Sequence, residues 1–168
     1  MHGTEGMTAA KFDTNIRALR GTVMGLPVTN LSTESDFYMG LPSGANAVPV
    51  GVLAQDVVEP GYPLTAESAP VSDPVLGTIN GSTPPAPFVS QGRAWGLITA
   101  ASEAEVIAAD TTIQADDLVY IADAYGRVTS IRNGTTGNMY YCVGRAKYPS
   151  TAVNQRLRIS VTLQQVKL

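Results

Sequence analysis

The 168-residue chain contains one histidine, His2, and one cysteine, Cys142. A single thiol excludes an intramolecular disulfide framework and a cysteine-rich metal site. Its setting in an apolar stretch points to a buried, inert sulfhydryl. A lone histidine at the second position leaves Ser–His nucleophilic catalysis without a fixed base. The sequence has no Gly-x-x-x-x-Gly-Lys-Ser/Thr run and no Gly-x-Gly-x-x-Gly, so two common phosphate-binding loops are missing. No apolar run has the length of a membrane-spanning helix, and no basic start leads into the apolar core of a secretory signal. The expectation is a soluble protein made in a cytoplasm, with no membrane partner and no cofactor.

Charge is also scarce: 15% of residues are charged, while 44% are hydrophobic, against a usual charged share of about a quarter. A disordered chain would show the reverse balance. The net charge of −3 hides a segregation along the sequence. Between Gly21 and Asp123 there are twelve acids and one base, Arg93; from Ala124 onward there are seven bases and no acid. Two arrangements fit this. Strands from both halves interleave and mix the charges on one surface, or acidic and basic faces meet between neighbouring molecules. Nucleic acid is a poor partner, because the chain is acidic and no basic stretch is interleaved with stacking aromatics.

What is abundant is β-like pattern and turn residues. Short strands are expected at Val48–Ala54, Arg93–Thr99, Ala104–Ala108, Leu118–Ala122, Arg127–Ile131, Met139–Ala146 and Arg156–Leu163. In the last of these, Leu157, Ile159, Val161 and Leu163 share one face, and Arg156, Arg158, Ser160 and Thr162 the other. Ala124-Tyr125-Gly126 reads as a tight hairpin connection with Gly126 at positive φ. Regular spacing of this kind predicts a mainly β protein, a small β-barrel or β-sandwich, over residues 46–168. A Pro-rich insertion falls at about 59–91, where a sheet ladder cannot run through so many prolines.

Residues 1–45 read differently, as an N-terminal arm. Ala9, Phe12, Ile16 and Leu19 fall at helical spacing, but Thr14 and Asn15 are poor helix formers, so a helix and an extended arm both fit. Phe37, Tyr38, Met39 and Leu41 are more apolar than a solvated linker needs.

Candidate chemistry is thin. Glu103 and Glu105 lie two apart on one strand and share a face. Asp116, Asp117 and Asp123 flank another strand, but their spacing matches no calcium loop, and they read as solvated turn carboxylates. Trp95 reads as a core aromatic. Asn133-Gly134-Thr135 fits a glycosylation pattern but reads as a turn.

Four stretches nevertheless resemble a known family. Asp117-Leu118-Val119-Tyr120, Gly126-Arg127-Val128-Thr129, Val143-Gly144-Arg145-Ala146 and Arg158-Ile159-Ser160-Val161-Thr162-Leu163 are similar to the capsid cement, or head decoration, proteins of tailed bacteriophages. The resemblance covers roughly residues 93 to 163; the long N-terminal region and the Pro-rich insertion depart from it. It implies a non-enzymatic β protein on the outer surface of a mature head. Its partners would be the major capsid protein and itself, as a homotrimer. On this reading the arm would reach across neighbouring subunits through Phe12, Ile16, Leu19, Leu31, Phe37 and Tyr38, while Arg145, Arg156 and Arg158 would face acids of a neighbour. The alternatives are another virion structural module, of a tail or spike, and a carbohydrate-binding or carboxylate-based enzyme module.

Overall fold

The computed structural model describes residues 6–27, 37–58, 75 and 89–168. Ten strands run through them: β1 Met7–Phe12, β2 Val23–Gly25, β3 Tyr38–Met39, β4 Pro49–Leu53, β5 Ala94–Ile98, β6 Ala100–Ile107, β7 Leu118–Ile121, β8 Val128–Ser130, β9 Met139–Ala146 and β10 Arg156–Lys167. One 3-10 turn, Ile131–Asn133, follows β8. The strands form two five-stranded sheets, ordered β2-β4-β5-β1-β3 and β6-β10-β9-β7-β8. The fold is therefore mainly β, as the alternating pattern requires.

Neither sheet closes into a barrel, but both curl far enough for their outer edges to touch at one point. In the first sheet Gly25 and Gly40 exchange two main-chain bonds of 2.8 and 3.1 Å. In the second, the Ala109 N–H donates to the Val128 carbonyl at 2.9 Å. Curling places one face of each sheet around its own core. The first encloses Phe12, Met24, Met39, Leu53, Val57 and Leu97. The second encloses Val106, Ile113, Val119, Ile121, Val143, Leu157, Ile159 and Val161. Val23 and Val52 of the first sheet pack into the second core, which joins the two.

The expected arm is corrected by this arrangement. Residues 7–12 form a strand between β5 and β3, with Met7 opposite Ile98 and Lys11 opposite Ala94. Ala10 and Phe12 are buried two apart, the period of a strand. A helix would leave the β5 ladder unpaired, and an extended arm would expose Phe12, which is wholly buried. Exposing such a side chain costs about 1.5–3 kcal/mol. The boundary at 45/46 likewise has no counterpart, because β1, β2 and β3 share a sheet with β4 and β5. Of the Pro-rich insertion, Val75 and residues 89–91 are described; the rest, like Leu31, lies outside the described residues.

The strands anticipated in the last two thirds are present, and β10 runs to Lys167, beyond the Leu163 expected. Two glycines explain why these segments fit together. Gly126 has φ +74°, and a Cβ there would stand 2.6 Å from the Val23 carbonyl oxygen. The Val23 N–H donates to the Gly126 carbonyl at 2.9 Å, so this hairpin also ties the two sheets. At Gly144 a Cβ would meet the Ser160 carbonyl oxygen at 2.1 Å. That contact is main chain against main chain, so neither side can swing away.

Gly144→Ala should therefore lower stability by about 1–3 kcal/mol, read as a fall in the urea midpoint with unchanged m-value. An unchanged midpoint would show that β9 and β10 separate at no cost.

Candidate interaction surface

The sequence-predicted contact residues do not converge on one face. Phe12 and Leu19 are buried, Ile16 packs against the first core, and Tyr38 is half-buried. Among the described apolar residues of that set, Phe37 is the exposed one, at 47%. Phe12 and Leu19 are thus core residues and not anchors.

The three arginines are engaged by their own chain. The Arg145 guanidinium donates to the Asp116 carbonyl at 2.7 Å, and that of Arg156 to the Arg20 carbonyl. Arg158 stands 3.8 Å from Glu103, which also meets Lys147 at 3.4 Å. Arg20 pairs with Glu105 at 3.3 Å. Arg20, Glu103, Glu105 and Arg158 line a cleft of about 400 Å³ between the sheets. Acids from the middle of the chain and bases from its end therefore meet within one molecule, because β6 lies beside β10. The interleaved arrangement holds at these pairs. Exposed pairs of this kind contribute little to stability, typically ~0–1 kcal/mol each.

The turn carboxylates are also more than solvated groups. Asp117, with a side chain 13% exposed, accepts from the Gln114 N–H, the Ser130 hydroxyl and the Arg132 guanidinium, all within 3.1 Å. Asp123 pairs with Arg127 at 2.7 Å. Asp110 accepts from the Thr112 N–H and hydroxyl and from the Thr129 hydroxyl. Asn133 donates to the Thr112 and Thr129 hydroxyls, which makes it part of the same lattice. These residues bind the loop after β6 to the turn after β8.

Cys142 lies beneath the outer face of the second sheet with Tyr120 and Tyr140, whose rings are 4.8 Å apart. Burial pushes its thiol up, and the charge of Arg145 offsets only part of that. Trp95 donates from its indole to the Ser90 carbonyl at 3.3 Å and packs against the first core.

An apolar surface that pattern reading missed lies around Val48. On one side a groove of about 800 Å³ is lined by Leu26, Pro27, Leu41, Pro42, Ala47 and Tyr125, among others. On the other, a smaller groove of about 230 Å³ runs past Pro49, Leu163 and Gln165. Among the described residues neither lining contains a charged one, in contrast to the cleft at Glu103. Leu26 is 58% exposed and Val48 38%. The floor is held by Asn46, at φ +58°. Its side-chain amide donates to the Met139 carbonyl at 2.9 Å and accepts from the Tyr141 N–H at 3.0 Å. The amide thus satisfies the β9 main chain there as a neighbouring strand would. The sequence signal was Gly44-Ala45-Asn46, since asparagine tolerates a left-handed backbone.

The carboxylate lattice sets an acid limit. For Asp117 burial acts upward, but the hydrogen bonds from Arg132, Gln114 and Ser130 outweigh it and hold the group below its ordinary 3.8. Asp110 is lowered in the same sense, with burial opposed by bonds from Thr112 and Thr129. A depressed folded-state pKa gives stability that is present above the unfolded value and lost as pH falls through the folded one. Stability should therefore stay level down to about pH 5 and fall below about pH 4. Asp117→Asn should flatten part of that fall and cost about 1–3 kcal/mol at pH 7. Denaturant titrations at several pH values would check both.

Compared with models of known protein families the chain matches none, and no curated protein is significantly similar to it in sequence.

Proposed function

We propose that the protein is a capsid cement protein that binds the outer surface of a phage head and bridges major capsid subunits, as a homotrimer. The observation that carries this reading is the pair of uncharged grooves that meet at Val48, flanked by exposed Leu26. Depletion of charge with apolar exposure is the composition of an interface centre and not of an ordinary surface. The resemblance adds the kind of partner. Its four stretches fall on β7, β8, β9 and β10, all in one sheet. Their conspicuous residues have framework roles: Gly126 and Gly144 permit close main-chain approach, and Asp117 ties a loop to a turn. These stretches therefore support the fold of such a protein, and the docking surface lies beside them.

Packaged DNA pushes a shell outward. A protein that touches several subunits at once opposes this with contacts whose effects multiply through effective concentration. The grooves supply the apolar contact, and the ion pairs around Glu103 would remain on the solvent side.

The test is binding of purified protein to expanded heads assembled without it. The Leu26→Asp/Val48→Asp double variant should bind at least about ten-fold more weakly while its thermal midpoint stays within a few degrees, since both side chains already meet water. Wild-type protein that ignores heads would refute the reading; undiminished binding by the double variant would move the docking surface elsewhere.

A further inference from the structure

Strand β10 is twelve residues long, but its two edges are covered unequally. Along β9 it is paired as far as Lys167 opposite Met139. Along β6 the ladder stops where Thr162 meets Ala100. Beyond that point, among the described residues, the far edge of β10 has no neighbouring strand.

The direction of the unpaired groups follows from three contacts. The Leu168 N–H donates to the Asn138 carbonyl at 2.9 Å, so residue 168 faces β9. The Tyr141 N–H and the Met139 carbonyl are both taken by Asn46, so residues 139 and 141 face away from β10. Antiparallel ladders alternate, and Gln165 and Lys167 are the partners of Tyr141 and Met139. The N–H and C=O groups of Gln165 and Lys167 must then point outward, along the open edge. Both residues are exposed. The equivalent groups of β9 are satisfied by Asn46, whereas among the described residues none covers those of β10.

The surroundings suit an added strand. The smaller groove, of about 230 Å³, is lined by Val48 and Pro49, by Tyr141 and Cys142 of β9 and by Leu163 and Gln165 of β10, so it lies against the same end of β10 and has room for one side chain. Lys167 is the one charge on the open stretch, and no acid occurs anywhere after Asp123. An acidic segment is therefore favoured over a basic one.

We propose that the open edge of β10, from Leu163 to Lys167, is a strand-addition site for an extended, acid-bearing segment of a shell subunit, which seats an apolar side chain beside Val48. Main-chain bonds to Gln165 and Lys167 hold the segment, the groove selects the side chain, and Lys167 favours an acid opposite. The inference rests on the capsid reading for the identity of the partner, while the open edge itself stands on the register.

Amide hydrogen exchange resolved at single residues, with the protein free and bound to expanded heads, tests it. On heads the amides of Gln165 and Lys167 should slow by at least roughly a hundred-fold, with little change at Val166, already bonded to β9. Gln165→Pro removes only an outward donor, a position where an edge strand tolerates proline. It should keep the thermal midpoint and weaken head binding at least ten-fold. Lys167→Glu, whose side chain is exposed, should weaken binding and more so at low salt. Unchanged exchange at both amides, or full binding by Gln165→Pro and Lys167→Glu, would overturn strand addition and leave head binding standing. Wild-type protein that fails to bind heads would overturn both.

Discussion

Strand β10 has to lie against β6 and β9 at once, and the contact that allows it is the approach of Gly144 to the Ser160 carbonyl. With any side chain at 144 the two main chains must part, which strains the pairing of Ile159, Ser160 and Val161 with Ala146, Arg145 and Gly144. A slip of one residue would turn the interior row Leu157, Ile159 and Val161 to solvent. The same strand presents Arg158 to Glu103 and extends past β6 to form the open edge. Core, ion pairs and open edge thus share one constraint.

That constraint also accounts for the charge distribution. A chain with its acids in the middle and its bases at the end looks built for contact between molecules. Antiparallel pairing of β6 with β10 instead brings Glu103 and Glu105 to Arg20, Lys147 and Arg158 within one subunit. What is left for a partner is the apolar ground around Val48, where desolvation costs little, and the outward main-chain groups of Gln165 and Lys167, which an added strand could bond.

The later strands were legible because each carries its own evidence: alternation in Arg156–Leu163, a glycine at the turn after Asp123, apolar runs bounded by breakers. Met7–Phe12 was not. Its apolar residues continue at helical spacing through Ile16 and Leu19, and its actual partner, β5, lies more than eighty residues away. Non-local pairing decided the matter, and no local pattern reports it. The candidate surface was illegible for a related reason. Leu26, Val48 and Tyr125 come from three separate segments, and each alone is an ordinary apolar residue in a turn or at a strand end. The arginines misled in the opposite way, since their alternation marked an outward face correctly but not the acids already waiting there.

The central claim is that the ground around Val48 and the open edge of β10 face the shell. Electron cryo-microscopy of the protein on expanded heads tests it most directly. The account predicts density in which Leu26, Val48 and Lys167 lie against a capsid subunit, with an extended segment running beside Gln165 and the Glu103–Arg158 cleft open to solvent. Density with that cleft against the shell and Val48 facing outward would contradict it.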